Sequence, residues 1–84
     1  MSSVFNTIRT ILHEKFSFHY DQIQLTTNLE VELGLDSREF FELLSEIEEF
    51  FQIKIDPDEI DKITKNKIVI TIEDIVNYIN DLIA

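Results

Sequence analysis

The chain has 84 residues, enough for one domain with a modest core but too few for a deep catalytic cleft. Seventeen acids against seven bases give a net charge of -10, which repels nucleic acid and anionic membrane surfaces and points to basic protein partners. With no cysteine there are no disulfides, thiolate metal sites or thiol nucleophiles, and 44% hydrophobic residues with one glycine and one proline favour packed helices over disorder.

Val4, Phe5, Ile8, Ile11, Leu12 and Phe16 form one apolar stripe and predict a helix over residues 3–16, with Ser2 or Ser3 as its cap. From Ser17 to Asp36 the helical period fails. Ile23, Leu25, Leu29, Leu33 and Leu35 are expected to pin this long loop to the core, with Thr26-Thr27-Asn28 as a turn. Gly34 supplies the backbone freedom to turn the chain ahead of the second helix. That helix opens on Asp36 as N-cap, with Glu39 three residues on as in a capping box, and runs to about Phe51. Phe40, Leu43, Leu44, Ile47, Phe50 and Phe51 fall within about 120° of one another on it, while Phe41 points elsewhere.

Ile53 and Ile55 follow in a short linker. Asp56-Pro57-Asp58-Glu59 is a strong start signal for a short helix edged by Ile60 and Ile63. Ile68-Val69-Ile70 reads as a strand-like loop on the core. Thr71 caps a last helix whose Ile72, Ile75, Val76, Ile79, Leu82 and Ile83 keep helical spacing. The fold expected is all-α: a four-helix bundle of three longer helices and one short, with a long loop after the first, making a single domain over 1–84.

Enzymatic constellations are poor. His13 and His19 are six apart, not a one-face ligand pair, and no metal is expected. Tyr20 and Tyr78 read as core-edge aromatics. The calcium-loop pattern is absent. The carboxylates concentrate between residues 30 and 49, where eight acids meet one base, Arg38. Glu42, Glu46 and Glu49 share the outer face of the second helix, where like charges repel by about 0.2–0.5 kcal/mol per pair. Such a helix reads as a docking surface for basic partners.

Leu33-Gly34-Leu35-Asp36-Ser37, at the loop-to-helix junction, resembles the phosphopantetheine attachment site of acyl carrier proteins, a Gly-x-Asp-Ser after a leucine. The likeness extends through Leu29, Glu32, Glu42, Leu43, Ile47, Glu48, Glu49, Phe51, Ile53, Ile55 and Pro57 and through Ile72 to Ile79, with an insertion near 64–70.

The resemblance implies a four-helix carrier, not an enzyme. A phosphopantetheinyl transferase would attach 4'-phosphopantetheine, donated by coenzyme A, to Ser37. The arm would carry acyl groups as thioesters in fatty acid, lipid or related biosynthesis. The alternatives are a peptidyl, aminoacyl or polyketide carrier of a dedicated pathway, or an interaction module without the arm. The resemblance assigns docking of acyl-transferring or acyl-modifying enzymes with basic patches to Asp36, Arg38, Glu39, Phe41, Glu42, Ser45, Glu48 and Glu49. An acyl-chain cavity between the second helix and the last two is expected to be lined by Phe40, Leu44, Ile47, Phe51, Ile60, Ile63 and Ile75. Arg38 stands where the family usually has leucine, Ser45 where an apolar residue is common, and Phe41 where valine is usual. These departures suggest a specialised carrier. No apolar run reaches membrane-span length and no secretory signal is visible, so a cytoplasmic monomer is expected.

Overall fold

A computed structural model describes residues 3–56, 58–59 and 70–83. Three α-helices occupy the segments marked by the periodicity: α1 Ser3–Phe16, α2 Ser37–Phe51 and α3 Ile72–Ile83. The short element among the described residues is a 3-10 turn, Tyr20–Gln22, inside the first loop. Of the short helix expected after Asp56, Asp58 and Glu59 are helical. The Asp56 side chain accepts from the Asp58 N–H at 2.9 Å, the turn that its place before Pro57 anticipates. Pro57, Ile60, Ile63 and the Ile68-Val69 part of the β-branched run lie outside the described residues, as does the Ser2 cap.

One apolar cluster holds these elements together. Val4, Ile8, Ile11 and Leu12 come from α1, Leu43, Leu44 and Ile47 from α2, and Ile72, Ile75, Val76 and Ile79 from α3. The first loop contributes Ile23, Leu29, Leu33 and Leu35, as many buried side chains as α1. Each is worth about 1.5–3 kcal/mol of transfer free energy, so the loop is a structural layer of the core.

Its backbone is equally committed. The first amides of a helix have no intrahelical acceptor. In α3 those of Ile72 and Glu73 donate to the loop carbonyls of Thr27 and Leu25 at 3.0 and 2.9 Å. Leu29 N–H donates to the Ile70 carbonyl at 3.0 Å beside an antiparallel bridge between Asn28 and Thr71. The buried Asn28 side chain accepts from the amides of Glu30 and Val31, closing the turn that carries the chain toward α2. Thr71 and Asp74 cap α3 reciprocally: Thr71 N–H donates to Asp74 Oδ2 at 2.9 Å and Asp74 N–H to Thr71 Oγ1 at 3.3 Å.

Both α1 and α2 end without glycine. Ser17 and Gln52 take left-handed φ values of 64° and 55°. The amides of Gln52 and Ile53 fold back on the Glu48 carbonyl. His13 serves the first of these ends, its Nδ1 lying 2.8 Å from the Phe18 carbonyl while its ring stacks on Tyr20 at 4.2 Å.

Four apolar expectations are corrected. Leu25 is exposed because its carbonyl, not its side chain, ties the loop to α3. Phe50 is 64% exposed, since it sits on the edge of the apolar arc of α2 where α1 does not cover it. Leu82 and Ile83 are exposed in the last turn of α3, beyond the buried stripe that ends at Ile79.

Candidate functional site

Ser37 is the first residue of α2 and is exposed. Its position is fixed from both sides. Upstream, Leu33 and Leu35 are buried, Leu35 N–H donates to the Leu29 carbonyl at 3.0 Å, and Gly34 between them has φ +66°. That left-handed turn admits glycine at little cost and L-residues only with strain. A Cβ on Gly34 would meet nothing within 4 Å, so the requirement is conformational and the space around the turn is open.

Downstream, Asp36 is the N-cap that the sequence marks. Asp36 Oδ1 accepts from Glu39 N–H at 2.8 Å, and Glu39 Oε1 accepts from Asp36 N–H at 3.3 Å. Phe40 N–H donates to the Asp36 carbonyl at 2.9 Å as the first intrahelical bond. The amides of Ser37 and Arg38 therefore open outward at the positive end of α2. An exposed hydroxyl, first-turn amides, clearance at Gly34 and a guanidinium one residue on together fit a phosphodiester.

The expected docking residues separate into two groups. Arg38, Phe41, Glu42, Ser45 and Glu49 are exposed, Phe41 by 49%. Arg38 Nε lies 3.3 Å from Glu42 Oε1, with the two side chains 87% and 53% exposed. So exposed a pair contributes only about 0.2–0.5 kcal/mol and leaves Arg38 free to meet a partner. Asp36 and Glu39 are engaged in the capping box. Glu48 is half-buried, and its Oε2 accepts from Ile55 N–H at 2.7 Å, anchoring the linker that leaves α2. No spacing rule marks a contact across seven residues between a helix and a coil, so the sequence shows Glu48 only as an acid.

Of the expected cavity lining, Leu44, Ile47 and Ile75 are buried in the core, and Phe40 and Phe51 pack half-buried against it. Ile60 and Ile63 lie outside the described residues. The sequence reading missed two features. Val31 is 77% exposed in the loop that leads to the motif. The Tyr78 hydroxyl is out of solvent contact, and burial, reinforced by the Glu59 carboxylate, raises its pKa above 10.0. Among the described residues no three or more His, Asp or Glu side chains are grouped to hold a metal ion. No helix among them is long and apolar enough to cross a membrane.

Comparison with known proteins meets this geometry. The family described as "Phosphopantetheine attachment site" matches residues 6–79. The chain is 31% identical over 80 residues to the acyl carrier protein of Campylobacter jejuni (strain RM1221), covering 95% of this chain and 96% of that one. It is 30% identical to that of Campylobacter lari (strain RM2100) and 31% to that of Campylobacter fetus subsp. fetus, with the same coverage. Members of this family carry covalently attached 4'-phosphopantetheine and work with a phosphopantetheinyl transferase and acyl-handling enzymes. With the match spanning most of the chain, and the attachment motif folded as an exposed serine on a capped helix, the chain belongs to the acyl carrier protein family.

Proposed function

We propose that Ser37 is the attachment residue and that the chain is a cytoplasmic, non-catalytic carrier of acyl thioesters. The observation that carries this is the exposure of Ser37 on the first turn of α2, between the Gly34 turn and the Asp36 cap. Its Oγ attacks the pantetheine-bearing phosphorus of coenzyme A and becomes the bridging oxygen of the phosphodiester, while the pyrophosphate P–O bond breaks, adenosine 3',5'-bisphosphate leaves and the serine proton passes to a base on the transferase. The chain holds the hydroxyl still, places helix amides beside the phosphate and keeps the surroundings open. The arm, when attached, supplies the thiol that this cysteine-free chain lacks.

A lipid-like cargo folds back between α2 and α3, against Phe40, Leu44, Ile47, Phe51 and Ile75. The half-burial of Phe40 and Phe51 at the edge of the core supports this.

The carrier serves a dedicated set of enzymes. Arg38, Phe41 and Ser45 fall within about 60° of one another on the outer face of α2, with Arg38 next to Ser37 and Phe41 and Ser45 about one and two turns on. A partner whose basic patch surrounds an apolar notch would meet the Arg38 guanidinium there, and like charges desolvated together cost up to several kcal/mol.

Intact-mass measurement after incubation with a phosphopantetheinyl transferase and coenzyme A tests the attachment. The chain is expected to gain one phosphopantetheine, and Ser37→Ala none. A gain by Ser37→Ala sinks the assignment, and no gain by wild type favours an interaction module without the arm. Acyl transfer by a general ketoacyl synthase tests the partner choice: Arg38→Leu is expected to be the better substrate, and equal, efficient turnover of both excludes selection at this position.

A further inference from the structure

A second face of α2 has the features of a docking surface away from the arm. A groove of about 460 Å³ lies between α1 and α2, lined among others by Thr10, Ile11, Glu14, Glu46, Glu49 and Phe50. Ile11 is nearly buried at its floor, and Phe50 stands 64% exposed, the most exposed aromatic on α2. Its neighbour Phe51 is half-buried, in edge contact with it at 5.1 Å between ring centres. A water-exposed phenyl ring beside an apolar floor gives up free energy that a covering apolar side chain would recover.

Phe50 and Phe41 are nine residues apart, which on an α-helix places them about 180° apart around the axis. Phe50 is also about 20 Å along the helix from Ser37. A protein seated on this groove therefore leaves the arm, Arg38 and Phe41 open to a second protein.

The charge selects the occupant. Three carboxylates, Glu14, Glu46 and Glu49, line the groove against one cation, Lys15. None of the three is in an ion pair among the described residues. A second copy of the chain, itself at -10, would bring acids against acids, so the groove does not fit self-association. We propose that the α1–α2 groove docks a basic amphipathic helix of a partner protein. One apolar side chain of that helix packs on Phe50 over Ile11, and its Lys or Arg residues face Glu14, Glu46 and Glu49. This is the helix-in-groove mode with the sign of charge set by the carrier. Its consequence is a tether that holds the carrier while the arm is serviced elsewhere.

The test uses the full-length, arm-bearing chain. The probe is a synthetic amphipathic helical peptide with Lys and Arg on one face and Leu and Phe on the other. Amide shift changes should centre on Thr10, Ile11, Glu46 and Phe50, and binding should weaken with added salt. Phe50→Ser should weaken it about 10-fold, as loss of an anchor residue does, and Phe41→Ser less than about 2-fold. Both are surface changes; unaltered circular dichroism in each, and unaltered arm attachment in Phe50→Ser, separate this result from failure of folding or of Ser37 modification. Three results overturn the proposal: equal losses in the two variants, shifts centred on the Arg38–Ser45 face, or equal binding by a peptide whose apolar face is replaced by serine. A Phe50-dependent dimer in sedimentation overturns it in favour of self-association.

Discussion

Asp36 carries two burdens, and two substitutions separate them. Asp36→Ala deletes the 2.8 Å bond from Glu39 N–H to Oδ1 and leaves the reciprocal 3.3 Å bond alone. Loss of an N-cap to alanine costs about 1 kcal/mol. Loss of the charge at the N-terminus of α2 adds about 0.3 kcal/mol, the low end for an exposed site, and relief of repulsion from nearby acids returns a similar amount. The expected loss is thus about 1 kcal/mol, or about 4–8 °C in melting temperature for a domain of this size. Asp36→Asn keeps the cap and removes only the charge, so its expected shift is under about 2 °C.

Thermal unfolding by circular dichroism at moderate salt reads the first effect, and the rate of mass gain with a phosphopantetheinyl transferase reads the second. Equal melting losses in the Ala and Asn variants would refute the capping argument. Normal stability of Asp36→Asn with slow arm attachment would show the carboxylate meeting the transferase directly. Normal attachment would confine its role to shaping the turn.

Gly34→Ala should cost about 1–2 kcal/mol, through strain at φ +66° and not through a clash, and Gly34→Asn less, because asparagine tolerates the left-handed region; urea unfolding checks both. Tyr78 has a pKa raised by burial, so the folded chain binds the phenolic proton more tightly than the unfolded chain does. Its contribution is present below pH 10 and falls as pH rises through and above 10.0; a wild-type stability curve that declines no more steeply there than that of Tyr78→Phe would contradict this. The melting temperature should rise between very low and moderate ionic strength, because the repulsion among eight acids and one base over residues 30–49 is screened over about 10 Å at 0.1 M salt. Indifference to salt would refute it.

The parts of the fold that the sequence shows best are those in which one residue type answers one backbone demand. Asp36 with Glu39, Thr71 before Ile72, and Gly34 at a left-handed turn are local chemistry, and each is found where its type predicts. Helical periodicity likewise places α1, α2 and α3. What escapes is set by which neighbour covers a face. Phe50 is in phase with the core arc, yet it is exposed because α1 leaves that edge open. Leu25 acts through its carbonyl, and Glu48 reaches across a helix end to Ile55, neither of which any periodicity records. Ser37 stands out in the sequence as the proposed site because the motif, the cap and the glycine fall within five consecutive residues.

The composition of α2 follows from these constraints. Its inner arc must hold Leu43, Leu44 and Ile47 in the core, so the positions free to vary are those facing water. Lysines among Glu42, Glu46 and Glu49 would pair at one-turn spacing and contribute a few tenths of a kcal/mol each. The chain instead keeps the acids, and among the described residues only Glu42 is ion-paired, with Arg38 beside the proposed arm position. Repulsion there weakens the free protein and is relieved when a basic surface arrives, so the same charges that cost stability speed and strengthen encounter. With exposed phenylalanines on two opposite flanks, α2 offers each arriving surface its own apolar anchor within that common field. On the proposed reading, electrostatics brings basic proteins to the helix in general, while Phe41 and Phe50 decide which flank each one holds.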